Sequence, residues 1–146
     1  SKIYTAVVRP VALYAAEAEQ MKEAETRSYG VMEMKMLRWS LGHTRLDRIR
    51  NDDIRAKIKV QPIANSIAAS RLRWVGHVQR RPDEAVCRTA DQVTFGSKKN
   101  RKGRPRKNWM ENLSMDMKTA GLSAEDAMDR IKWRNSAKQA YPTTIG

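Results

Sequence analysis

The stretch Pro62-Ile-Ala-Asn-Ser-Ile-Ala-Ala-Ser-Arg-Leu-Arg-Trp-Val-Gly-His-Val-Gln-Arg-Arg81 decides the fold class. Proline has a fixed φ and no amide hydrogen, which suits the first position of a helix, so Pro62 predicts a helix running to about Arg81. Within it Ile63, Ile67, Trp74 and Val78 form one apolar stripe, widened by Leu72 and Val75, at the spacing of a helix that packs on neighbours. On the opposite side Arg73, His77 and Arg80 align at i, i+4 and i+7. Trp74 matches the apolar stripe and is expected in the core. Arg73 and Arg80 suit a solvated face and a nucleic-acid backbone equally well.

Toward the N-terminus the same period recurs. Asn51, Asp52 and Asp53 offer capping groups and early negative charge for a short helix ending near Lys59. From Thr26 to Leu41 the residues Tyr29, Met32, Met36 and Trp39 share one face, and Met34, Leu37 and Leu41 another. A helix apolar on two faces is normally buried between neighbours, and Gly42 is placed to stop it. Gly30 weakens its start by about 1 kcal/mol against alanine. In residues 2–16 Ile3, Val7, Val11 and Tyr14 favour a helix kinked or begun near Pro10, with a strand the alternative.

On the C-terminal side Glu84 to Val93 suggests one short helical turn, and residues 96–107 contain no apolar side chain and read as an extended loop. Trp109, Leu113, Met117 and Ala120 mark an amphipathic helix closed by Gly121. Ser123-Ala-Glu-Asp126 has the form of a capping box for a last helix to about Ala140. The expected fold is all-α, with about six helices. Its expected divisions are a helical region over 1–60, a basic helical connector over 61–95, a basic loop over 96–107 and a two-helix unit over 108–146.

Charge narrows the function. Lysine and arginine number 29 against 16 acidic residues in 146, a formal charge of +13. Such an excess repels itself in the compact state, and a polyanion supplies the counter-charge. Nucleic acid is the first such partner, an anionic membrane surface the second, and a merely soluble basic protein the bland alternative. Seven of the ten residues from Lys98 to Lys107 are cationic, namely Lys98, Lys99, Arg101, Lys102, Arg104, Arg106 and Lys107. A loop of this kind neutralises phosphates and releases their counterions. Its centre, Lys102-Gly-Arg-Pro-Arg-Lys107, resembles an AT-hook, so minor-groove reading stands beside phosphate contact, nuclear import and plain solvation. The candidate nucleic-acid residues are these seven together with Arg73 and Arg80.

Other chemistry has little support. His43, His77 and Cys87 are not at paired-ligand spacing, so neither metal nor cofactor is expected. A single cysteine fits a reducing, intracellular setting, nuclear or cytoplasmic. No apolar run has the roughly 20 residues of a membrane span, and no signal peptide is apparent. Asp52-Asp53 lies between Arg50 and Arg55 at a probable helix start, where capping explains it better than two-metal catalysis. Asp83 with Asp116 and Lys118 superficially matches a PD-(D/E)xK nuclease, but that site needs its second element on a strand, and here it falls in an amphipathic helix. Neither a phosphate-cradling glycine loop nor a nucleophilic triad is present, so no small-molecule substrate is expected.

Six segments together carry a family resemblance. They are Val8-Arg-Pro-Val-Ala-Leu-Tyr14, Met34-Lys-Met-Leu-Arg-Trp39, Leu41-Gly-His-Thr-Arg-Leu-Asp-Arg-Ile-Arg-Asn-Asp-Asp-Ile-Arg55, Arg71-Leu-Arg-Trp-Val-Gly-His-Val78, Lys102-Gly-Arg-Pro-Arg-Lys-Asn-Trp109 and Asp126-Ala-Met-Asp-Arg-Ile-Lys-Trp-Arg134. In order and spacing the chain resembles the C-terminal part of reverse transcriptases from non-LTR, LINE-like retrotransposons, most closely the RTE clade. The resemblance implies that residues 1 to about 60 are a polymerase thumb and the rest a basic segment that helps hold template RNA or target DNA. It also implies that the palm and the endonuclease lie upstream, so that this chain is a fragment with no catalytic residue of its own. Ser1, which follows no methionine, reads as the start of a piece cut from a longer polypeptide. After Tyr14 the residues Ala15-Ala-Glu-Ala-Glu19 depart from the Gly-Ser/Ala-Glu-Thr/Cys-Trp of such proteins. The expected partners are RNA, DNA or both, and the polymerase palm. The alternatives are an interaction module docking on the palm through the Met-rich helix from Met32 to Leu41, and the small nuclease just described.

Overall fold

Among the described residues one helix packs against elements that precede it and elements that follow it in the chain. In a computed structural model, which describes residues 3–14, 23–82 and 109–142, a π-helical turn Tyr4–Val8 runs into α1, Arg9–Ala12. There follow α2, Glu23–Ser40; α3, Asn51–Ile58; α4, Ile63–Gln79; α5, Trp109–Ala120; a 3₁₀ turn, Glu125–Met128; and α6, Arg130–Ala140. Among the described residues every regular element is helical, and the fold is all-α as the periodicity predicts. The short turn expected over Glu84 to Val93 lies outside the described residues.

The N-terminal half of α4 faces α1 and α2. Ile67 packs with Leu13 and Tyr29, beside a cluster of Tyr4, Met34, Leu37, Ile54 and Val60. Further along α4, Leu72 and Val75 join Trp109, Leu113, Leu122, Ala127, Trp133 and Ala137 in a second cluster. Ile63, Ile67, Leu72, Val75 and Val78 are all buried, so the stripe read from the sequence is the one the fold uses.

A buried carboxylate ties the first cluster together. Glu33 on α2 is fully buried and accepts hydrogen bonds from the Tyr4 hydroxyl (2.7 Å), Arg55 Nη2 (3.1 Å) and the Ile63 amide (3.2 Å). The last is an unpaired donor at the start of α4, so the side chain of one helix caps another. Burial, reinforced by Glu33, pushes the Tyr4 phenol well above its ordinary range and keeps it a donor. Arg9 adds a second tie, donating to Ser66 Oγ (2.5 Å) and the Gln61 carbonyl (3.0 Å).

Three helices end alike. After α2, α3 and α5 a residue with positive φ (Gly42 at 71°, Lys59 at 59°, Gly121 at 62°) reverses the chain. The next amide then bonds five residues back: His43 to Arg38, Val60 to Arg55, Leu122 to Met117. Gly42 and Gly121 stop their helices where the sequence predicts, whereas Lys59 holds its left-handed backbone without glycine's freedom.

Four sequence expectations change. Ile3, Val7, Val11 and Tyr14 do lie on helical turns, but their stripe is exposed and Tyr4 and Arg9 point inward instead. In α2 only the Met34–Leu37 face is buried; Trp39 is 84% exposed, because neighbours cover one side of the helix rather than two. Helix α3 has Arg50 at its N-cap with no side-chain cap, since Asn51 Oδ1 instead accepts from Arg38 (2.5 Å). At Ser123 only one arm of the box is present, the Ser123 amide and hydroxyl both donating to Asp126 Oδ2 at 2.8 Å, and it lies at the 3₁₀ turn rather than at the last helix. The last helix starts again at Asp129, whose carboxylate accepts from the Ile131 and Lys132 amides, each at 3.0 Å.

Candidate nucleic-acid interface

Arg73, His77 and Arg80 leave α4 toward a groove whose other wall is α6. Arg130, Arg134 and Lys138, spaced four apart and so on one helical face, line that wall. The groove has a volume of about 670 Å³, with Trp74, Trp133 and Tyr141 among its lining. Arg73, Arg80, Arg130, Arg134 and Lys138 give it five cations, and among the described residues none of its lining is a carboxylate. The field is therefore of one sign inside a concave surface, the arrangement that concentrates a polyanion.

The groove's width is fixed by a close helix contact. Trp133 is 3% exposed, and its Nε1 donates to the Leu72 carbonyl on α4 at 2.8 Å. A Cβ at Gly76 would lie 2.6 Å from that nitrogen, so α6 reaches α4 only because residue 76 is glycine. Polar ties brace both ends. Arg80 Nη1 donates to the Ala127 carbonyl (2.8 Å), joining the end of α4 to the turn before α6. At the other end Arg71 Nε and the Tyr141 hydroxyl donate to the two oxygens of buried Asp116, at 2.7 and 3.2 Å. Burial raises the Tyr141 phenol above its ordinary range, which keeps it protonated toward that carboxylate.

Of the residues singled out by sequence, Arg73 is exposed on the groove wall and Arg80 is half-buried, both brace and wall. Trp74 is half-buried: it packs against the second core cluster as expected and also lines the groove. Lys98, Lys99, Arg101, Lys102, Arg104, Arg106 and Lys107 lie outside the described residues. Sequence reasoning missed Arg130, Arg134, Lys138 and Tyr141. For the three cations the signal was present as an i, i+4, i+8 series, hidden because the segment was read only for its apolar positions.

A second basic recess, about 730 Å³, lies against α2 and the segment before α3 and includes Lys35, Arg45 and Arg48. Several of its cations serve the fold. Arg27 pairs with Glu23 (3.6 Å), Arg38 donates to the Ile49 carbonyl (3.2 Å), and Arg55 reaches Glu33 and Asp52 (3.1 and 3.7 Å). The groove between α4 and α6 has the stronger uncompensated charge.

Two of the three residues of the nuclease alternative are described. Asp116 is buried against Arg71 and Tyr141, Lys118 is exposed, and Asp83 lies outside the described residues. Among the described residues no three His, Cys, Asp or Glu side chains are grouped to hold a metal ion. None of the described helices is long and apolar enough to cross a membrane.

The chain is similar to an uncharacterized transposon-derived protein of Caenorhabditis elegans, 23% identical over 142 residues, which cover 90% of this chain and 51% of that relative. The chain thus spans about half the length of the curated relative it matches. No family model matches it, and no solved structure does.

Proposed function

We propose that this chain is a nucleic-acid-holding part of a retrotransposon reverse transcriptase, binding template RNA or target DNA through the phosphate backbone. The observation that carries the reading is the groove between α4 and α6, with five cations and, among the described residues, no carboxylate in its lining. Cations placed this way contact phosphates without reading bases, so affinity is general and salt-dependent. The basic loop from Lys98 to Lys107 follows α4 in sequence and supplies seven more cations for the same backbone. Similarity to a transposon-derived protein and the six segments resembling non-LTR reverse transcriptases support the element of origin. In this reading residues 1 to about 60 serve as the thumb, catalysis resides elsewhere in the polymerase, and this chain alone neither polymerises nor cleaves.

The test is a titration of labelled RNA and DNA oligonucleotides with the purified chain over a salt series. Affinity falling steeply with salt, and weakened by deleting residues 98–107, is the expected result. A salt-independent affinity, or none, contradicts it. Exposed apolar side chains favour a second role. Ile3, Val7 and Val11 form one open stripe, and Trp39 stands free on α2, as a face docking on a polymerase palm requires. That role predicts self-association of the isolated chain in light scattering.

A further inference from the structure

The groove contains more than charge. Trp74 and His77 stack with ring centroids 6.1 Å apart and planes 28° from parallel. The pair is held as a platform. Trp74 packs against the second core cluster, His77 is exposed above it, and Arg81 Nε approaches His77 Nε2 at the ring edge (3.4 Å). Both rings line the groove, with Tyr141 in the same lining. A purely phosphate-binding surface has no use for such a platform, because phosphates do not stack. In a duplex the faces of the bases are occupied by their neighbours, and only an unpaired base offers a free π-face to an aromatic side chain. The cations on the two walls then lie beside the backbone of the same strand.

We infer that the α4–α6 groove takes a single-stranded segment of nucleic acid, with an unpaired base stacked on the Trp74–His77 platform. This inference rests on the nucleic-acid reading above and adds to it a preference for unpaired strands. The preference belongs to the π-faces, so it tolerates any base and does not need hydrogen bonds to base edges. His77 is the residue on which to test it, since it is exposed and lies outside the core clusters.

The experiment compares the full chain on three probes of one length: a single-stranded oligonucleotide, the same strand made abasic throughout, and its duplex. Stacking of one base predicts binding of the single strand at least about fivefold tighter than the abasic strand. His77→Ala brings the two affinities together, whereas His77→Phe preserves the difference, because a phenyl ring stacks and carries neither charge nor a ring nitrogen. Equal affinity for the single strand and its abasic counterpart, with steep salt dependence retained, overturns the stacking inference and leaves phosphate binding standing. So does a difference that survives His77→Ala. Loss of salt-dependent binding to all three probes overturns both.

Discussion

At the residue scale the fold depends on a few charges placed where water is absent. Glu33 is the clearest, a carboxylate with three donors from three different segments. Glu33→Gln removes the charge that faces Arg55, and breaking one side of a buried pair typically costs about 3–5 kcal/mol. Arg55 keeps its exposed contact with Asp52, so the expected loss is about 3 kcal/mol at the low end of that range, read as a lower urea midpoint at unchanged slope. A half-buried group at the surface behaves differently. Asp126 is held at about 2, below its ordinary 3.8, first by its bond to Lys132 and then by those to the Ser123 amide and hydroxyl. A carboxyl whose folded value is depressed contributes stability above its unfolded value and loses it as pH falls toward the folded one. That contribution is therefore complete above about pH 4 and disappears near pH 2. An NMR titration of the Asp126 carboxyl should show a midpoint near 2, moving toward the ordinary value in Lys132→Ala. A midpoint unmoved by that substitution refutes the assignment. The pairing of Asp126 with Ser123 was legible in the capping-box spacing, whereas the role of Glu33 was not. Glu33 looks like any solvated glutamate of an amphipathic helix, and only the meeting of three distant segments makes it a hub.

At the element scale, the helices were largely readable because their apolar stripes repeat at the helical period, and α4 is the best case. What the pattern could not supply was which stripes find partners. Ile3, Val7 and Val11 have the spacing of a core face and remain open, as does Trp39, since burial is decided by neighbours and not by period. Two glycines separate local propensity from packing. Both Gly30 and Gly76 are helical, and alanine gains about 1 kcal/mol of helix propensity at either. Around Gly30 nothing lies within 4 Å of a new Cβ, so Gly30→Ala should stabilise the protein by about that amount. At Gly76 the new Cβ meets Trp133 at 2.6 Å, and overpacking costs about 1–3 kcal/mol before the lost Trp133–Leu72 hydrogen bond, worth about 1 kcal/mol, is counted. The clash outweighs the propensity, and Gly76→Ala should destabilise by about 1–3 kcal/mol. Opposite signs in parallel urea melts are the expected result; a stabilised Gly76→Ala means that α6 does not seat on α4 as described.

At the scale of the whole molecule, composition suggests a polyanion partner, and the sequence alone puts the proposed grip mainly in the loop from Lys98 to Lys107. The groove between α4 and α6, the second grip we propose, needs both helices, and Arg130, Arg134 and Lys138 become part of it only when Trp133 docks at Gly76. A linear reading found Arg73 and Arg80 because they share α4 with an obvious stripe, and missed the opposite wall. For the groove to hold nucleic acid as proposed, its walls must act as a phosphate grip. The direct measurement is the slope of log affinity against log salt for a single-stranded oligonucleotide, comparing the wild-type chain with the Arg73→Ala/Arg134→Ala/Lys138→Ala variant. Each lost phosphate contact on a single strand flattens the slope by about 0.7, so the variant's slope should be shallower by about 2. A variant that folds normally and keeps the wild-type slope contradicts the claim.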